Sequence, residues 1–232
     1  MIMKIFSLEN DMIFTEEYIN VLQIQDKKLF TNVINSLNDN INNIEDTKER
    51  IIILDNDTEI KIEKEVLMII DVFNIDFNQK KIQNALYNKI EKIYKQEFER
   101  MSEFQTIFQK LQLNVLDVFN EFPFEFNYKE SIGIQECLKL LGLKISNNKE
   151  KIIDTIFSLI DVVEYLSIAK LLIFVNIKLY LGNDEIQEVY KYAMYKKVNI
   201  LLIETGEEKE PLENEKILYI DSDYDEIILY NK

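Results

Sequence analysis

Four stretches of this sequence combine residue types that could do chemistry. Asp221-Ser-Asp223-Tyr-Asp225 spaces three carboxylates like the opening of a calcium-binding EF-hand loop. Asp55 with Glu59-Ile-Lys61 is the residue set of a metal-dependent nuclease core. Val21-Leu-Gln-Ile24 followed by Gln25-Asp26-Lys27-Lys28 is a strand-like run opening a helix, the place where an α/β ATPase carries its phosphate loop. Lys81, Lys89, Lys92 and Lys95 gather within one short stretch and would suit a phosphate backbone, which lysines bind as point charges without reading sequence.

Each set has a plainer account. The sixth position of the Asp221 loop is Glu226 where an EF-hand needs glycine, and the twelfth is Lys232 where it needs a bidentate glutamate. An acidic turn between two terminal strands explains it. Asp55, Glu59 and Lys61 are too close together for a nuclease centre, and a tight hairpin explains them. A phosphate cradle needs glycines so that backbone N–H groups can converge, and Gln25 to Lys28 holds none. The lysines are the strongest set. At 100° per residue Lys81, Lys92 and Lys95 fall on one side of a helix, opposite Ile82, Ile90 and Ile93, with Lys89 beside them. A solvated face is the ordinary account of such lysines, and a DNA-contacting face is the sharper one.

Absences close most other chemistry. With no histidine there is no Ser-His or Cys-His nucleophile and no imidazole metal site. A single cysteine, Cys137, removes thiolate clusters and intramolecular disulfides. The four glycines stand at 133, 142, 182 and 206, so neither nucleotide-binding glycine motif can be written. Any metal must sit among oxygens, which favours calcium or magnesium. No apolar run approaches the roughly 20 residues that span a bilayer, and no signal peptide is read, so a soluble cytoplasmic protein is expected.

The net charge of −15 argues against nucleic acid on its face. Charge acts over about 8 to 10 Å in physiological salt, however, so its distribution decides. From Ile200 onward there are ten acids and three lysines, whereas Asn78 to Arg100 holds six basic residues and three acidic ones.

Periodicity places these sets on elements. Met3 to Leu8 and Met12 to Phe14 suggest a hairpin, Val21 to Ile24 a buried strand, and Lys27 to Leu37 a helix. Ile51 to Leu54, Glu59 to Ile62 and Val66 to Ile70 read as strands. From Asn78 an apolar residue recurs every three to five positions as far as Val115, which predicts one long helix or two nearly end to end, stopped by Pro123. Further helices are predicted over Ile134 to Leu141 and Lys151 to Leu166. Lys170 to Asn176 then reads as strand, and a helix capped by Asn183 or Asp184 runs to Lys196. Three strands follow over Asn199 to Ile203, Ile217 to Ile220 and Ile227 to Tyr230. Continuous runs such as Leu-Leu-Ile-Phe-Val suit strands covered on both faces. The fold class expected is α/β: a discontinuous head of residues 1–77 and 169–232, with residues 78–168 inserted as an α-helical leg.

An ordered set of stretches resembles the small ring-forming DNA-binding family of type II-A CRISPR loci. They are Asp71-Val-Phe-Asn-Ile-Asp76-Phe-Asn78, Leu138-Lys-Leu-Leu-Gly142-Leu-Lys144-Ile, Leu171-Leu-Ile-Phe-Val-Asn176, Tyr180-Leu-Gly-Asn-Asp-Glu185 and Ile200-Leu-Leu-Ile-Glu204. The resemblance covers about residues 1 to 205. It implies an ATPase-like α/β head with a degenerate phosphate loop, a helical leg, and a homotetrameric ring whose lysine-lined hole takes double-stranded DNA by its ends. It also implies no catalysis, calcium (Ca2+) supporting the ring, and a role in spacer acquisition beside integrase proteins and the effector nuclease. Residue by residue, the family's acidic stretch after the long helix maps onto Glu125, Asn127 and Glu130, with Lys129 where an acid is usual. Lys139 and Lys144 lie inside a matched stretch, whereas Lys81, Lys89, Lys92 and Lys95 rest on helix geometry. The alternatives are an inactive ATPase-like protein–protein scaffold, or a metal-dependent nuclease.

Overall fold

A computed structural model of the chain describes residues 1–44, 46–119, 121–147 and 149–231. In chain order the elements are β1 (Ile2–Ile5), β2 (Met12–Ile13), β3 (Ile19–Ile24), α1 (Lys27–Ile41), β4 (Ile51–Asp55), β5 (Thr58–Glu59), α2 (Ile62–Glu65) and β6 (Val66–Ile69). Then come α3 (Lys80–Gln96), α4 (Phe98–Phe119), α5 (Ile134–Leu140), α6 (Ile152–Leu166), β7 (Leu171–Val175), α7 (Asn183–Tyr195), β8 (Asn199–Thr205), β9 (Glu215–Ile220) and β10 (Glu226–Asn231). A 3-10 turn, Ile177–Leu179, follows β7. The chain divides into two compact units, one of residues 1–76 with 147–232 and the other of residues 77–146.

The first unit is built on a six-stranded sheet ordered β10-β9-β3-β8-β7-β6, with a four-stranded antiparallel sheet ordered β2-β1-β4-β5. β3 pairs in parallel with β8 on one edge and β9 on the other, and every residue of it is buried. Alternation along the strands gives the large sheet two apolar faces. One carries Leu22, Ile24, Leu171, Ile173, Leu201 and Ile203, and packs in one core with Leu29, Val33 and Leu37 of α1 and with Met3 and Ile53 of the small sheet. The other face carries Val21, Leu172, Phe174, Ile200 and Leu202, on the side of α6 and α7. The continuous apolar runs therefore are what the sequence predicts: parallel strands wetted on neither face.

Three expectations change. The helix over 152–166 belongs to the first unit, so the helical insertion ends at residue 146 and not 168. The cause is its composition, since six of its residues are buried and it packs on α7. The strand expected over Glu59 to Ile62 stops at Glu59, and Ile62 opens α2. The hairpin between β4 and β5 turns on Asn56 and Asp57, both with positive φ, a two-residue turn that asparagine and aspartate tolerate. Finally α7 starts one residue early: Gly182 is its N-cap, because the Glu185 carboxylate reaches back to accept from the Gly182 N–H at 2.9 Å.

The α7 face also holds charge. Glu215 is fully buried and ion-paired with Lys178, while Tyr190 donates to the same carboxylate at 2.6 Å and Leu212 N–H at 2.8 Å. Burial first, and then the Glu215 charge, push the Tyr190 hydroxyl well above its ordinary range. Glu204, also buried, accepts from the Lys178 N–H at 3.2 Å, while the Lys178 ammonium pairs with Glu215 instead. Desolvation therefore pushes the Glu204 carboxyl up to about 7.

The folded state holds the Glu204 proton more tightly than the unfolded chain, where 4.5 is the ordinary value, so its stabilisation is complete below pH 4.5 and is lost as pH rises toward 7. Chemical denaturation of the wild type should thus show stability declining across that window, by up to about 1.4 kcal/mol per pH unit. Glu204→Gln should flatten the decline and be the more stable protein at pH 8. Lys178→Met strands the Glu215 charge and should cost about 3–5 kcal/mol, most of it recovered in the Lys178→Met/Glu215→Gln double variant.

Candidate nucleic-acid interface

All six predicted DNA-contacting lysines fall in the second unit, and its architecture explains which are available. The long periodic segment is two helices that break at Glu97, where the N–H turns back to Tyr94 O at 3.3 Å and Arg100 pairs with the Glu97 carboxylate at 2.7 Å. α5 lies against α3: Gln135 donates to Asn88 at 2.9 Å and Glu91 at 2.5 Å, and the Tyr87 hydroxyl donates to Leu143 O at 3.1 Å. The Asn78 amide fixes the two chain ends of this unit, accepting from Ile145 N–H at 2.9 Å and donating to Ile145 O at 3.1 Å. Two stretches that carry the resemblance, Asp71 to Asn78 and Leu138 to Ile145, thus meet through one side chain.

On α3 the lysines are not equivalent. Lys92 is exposed, and Lys95 is exposed but paired with Glu91 at 2.8 Å. That ion pair, with the Gln135 amide second, holds the Glu91 carboxyl below its ordinary range. Lys81 and Lys89 are half-buried and already have partners. Lys139 on α5 and Lys144 beyond it are both exposed. Periodicity finds the helix face, but it cannot see that α5 covers part of it.

Charge partition is the clearest feature of the interface. The first unit holds 33 acidic residues against 17 basic ones, and the second nine against ten. The whole negative excess of the chain therefore lies outside the unit that carries the six lysines.

Glu125, Asn127 and Glu130 are exposed on the irregular segment between α4 and α5. Two carboxylates and an amide supply at most about five oxygens, where calcium takes six to eight. Among the described residues no three His, Cys, Asp or Glu side chains converge as a metal site. Lys129, at the position where an acid is usual, pairs with Glu136.

The remaining sequence motifs have structural roles. Asp26 is the N-cap of α1, accepting from Leu29 N–H at 2.7 Å, so its own carboxylate takes the helix end where a phosphate would dock. Asp55 pairs with Lys170 at 2.8 Å, which holds its carboxyl below the ordinary range. Asp221 accepts from the N–H groups of Asp223 at 2.8 Å and Asp225 at 2.9 Å, closing the turn into β10; Lys232 lies outside the described residues. No helix among the described residues is long and apolar enough to cross a membrane.

The crystal structure of Stu0660 of Streptococcus thermophilus shares the fold, with a TM-score of 0.63 over the whole of this chain and 77% of that one, at 14% identity. A CRISPR-associated protein Csn2 of Streptococcus agalactiae is 27% identical over 146 residues, and one of Enterococcus faecalis is 29% identical over 143. Each match takes in 60% of this chain and under two thirds of the relative, 63% and 64% respectively. The profile of the family described as CRISPR-associated protein (Cas_Csn2) matches residues 43–224, which hold all six lysines and the three oxygen-donor residues. The chain belongs to the CRISPR-associated Csn2 family, the one its sequence resembles.

Proposed function

We propose that this chain is a non-catalytic, sequence-independent double-stranded DNA-binding protein that works as a homotetrameric ring and assists new spacer acquisition in type II-A CRISPR adaptation, beside the integrase proteins and the effector nuclease. The observation that carries the reading is the charge partition: ten bases against nine acids in the second unit, with Lys92, Lys139 and Lys144 exposed there. A duplex meeting that unit escapes the repulsion of the acidic one, and within a ring the acidic surface would keep DNA to the lumen.

Assembly is supported by α4. Not one residue of this 22-residue helix is buried, although Ile107, Leu111, Leu113, Val115 and Val118 stand on it. Val115, Val118, Phe119, Phe122, Phe124 and Phe126 line an apolar cleft of about 470 Å³. Covering such side chains is worth about 1.5–3 kcal/mol each, enough together to offset the roughly 4–15 kcal/mol cost of association. Calcium enters this reading at Glu125, Asn127 and Glu130, whose side-chain oxygens would make part of the six to eight it takes, with carbonyls and water completing the shell.

An inactive ATPase-like head accords with the parallel sheet and with a helix opening directly from the carboxyl end of β3, where Asp26 replaces a phosphate loop. By itself this supports the scaffold reading as well, and DNA binding separates the two.

In a gel shift the protein should retard linear duplex and largely ignore closed circular DNA of the same sequence, more so with calcium than with EDTA. Failure to bind either form at low salt would hand the function to the scaffold reading, and cleavage in magnesium or manganese would hand it to the nuclease reading. Changing Lys92, Lys139 and Lys144 to glutamate should weaken binding to all sequences alike. It should also lower the slope of log K against log salt by about one for each phosphate no longer neutralised.

A further inference from the structure

Two turns of the first unit, at the carboxyl end of the large sheet, carry an apolar patch. One follows β6 and the other follows β7, the strand it pairs with. In the first turn the Asp71 carboxylate accepts from Phe73 N–H at 2.9 Å and from the Asn74 side-chain amide at 2.7 Å. In the second, the Ile177 carbonyl accepts from Tyr180 N–H at 3.0 Å and from Leu181 N–H at 3.3 Å. Val72, Ile177 and Leu181 are the buried members of these turns, and the residues beside them face out. Phe73 is 62% exposed and Leu179 63%, with Ile70 and Tyr180 also exposed. The Phe73 and Tyr180 rings meet edge-on at 4.9 Å. Aromatic and aliphatic side chains grouped in this way and open to solvent are what protein interfaces centre on. Because the turns are already hydrogen-bonded, docking there orders little that is not ordered beforehand.

Charge around the patch selects what covers it. Residues 70–76 and 176–185 hold four acids, Asp71, Asp76, Asp184 and Glu185, all exposed, and one base. That base is Lys178, whose ammonium is turned inward to the buried Glu215. A nucleic-acid phosphate would meet these carboxylates with no cation to offset them. A second copy placed face to face would set acid against acid. We propose that this patch docks a protein segment that sets apolar side chains between lysines or arginines, offered by a basic, DNA-handling partner. Proteins that handle DNA carry such basic surface in excess. The kind of partner rests on the function proposed above, but the surface does not, and its test does not require this chain to bind DNA. Failure of duplex binding and failure of this contact are therefore read separately.

The test uses the full chain and, as probe, a leucine–lysine peptide of helical spacing. A serine–lysine peptide and a leucine–glutamate peptide of the same pattern are the controls. In hydrogen exchange the leucine–lysine peptide should protect residues 70–76 and 177–181, and the controls should not. In calorimetric titration Phe73→Ser/Tyr180→Ser should weaken its binding about tenfold or more, the scale on which interface anchors act. Asp184→Asn should weaken it about two- to threefold, whereas Glu207→Gln, which removes the same charge from the exposed turn after β8, should leave it unchanged. Absence of protection overturns the proposal. Equal binding of the serine–lysine peptide, or equal weakening by Glu207→Gln, reduces the contact to general charge and overturns it too. Equal binding of the leucine–glutamate peptide overturns the basic partner. Protection of the same residues by rising protein concentration alone, or by duplex DNA, gives the patch to a second copy or to DNA instead. The exchange footprint on the unmodified protein decides the matter even if a variant fails to fold.

Discussion

Strand β3 is hydrogen-bonded on both edges by strands that come some 180 residues later, and the rest of the structure follows from burying it. A strand with neighbours on both sides and apolar side chains on both faces must be covered twice, which recruits α1 and the small sheet to one face and α6 with α7 to the other. The chain must then leave the sheet after β6 and return at β7, which pairs with it in parallel. A parallel return requires a crossover, and here it carries the whole second unit. The lysine-bearing helices are thus an insertion into one connection of the six-stranded sheet.

The same burial accounts for the polar groups on the α7 face. Glu204 and Glu215 lie on that face with one lysine between them. Lys178 pairs with Glu215, and burial without such a partner pushes the Glu204 carboxyl up to about 7. The helix end that could take a phosphate is filled by Asp26. In this unit these buried charges serve packing, whereas the exposed Lys92 and Lys139 and the unburied apolar side chains lie on α3, α5 and α4.

The elements were legible because their signals are local. Every strand of the large sheet is a short apolar run bounded by polar residues, and α1, α3 and α4 show helical spacing. What misled is non-local. The segment 152–166 reads as one more helix of the insertion, and only its packing on α7 assigns it to the first unit. That assignment sharpens the charge partition. The site was less legible than the fold. Lys81 and Lys89 sit at good angles on a helical wheel, yet their burial depends on neighbours that spacing does not report. The two carboxylates and amide at Glu125, Asn127 and Glu130 match a pattern in sequence, but a coordination shell is a property of three dimensions.

The discontinuity of the sheet has a consequence during synthesis. β3 leaves the ribosome early, but its second edge partner ends at Ile220, and at 5–20 residues per second the wait between them is roughly ten to forty seconds. Throughout that interval a strand destined for complete burial has only local, incomplete cover, and by its end the helices of residues 77–146 have all been synthesised. The unit that carries the lysines is thus complete in the nascent chain before the sheet that flanks it in sequence, and the unpaired strand spends that interval open to holdase chaperones.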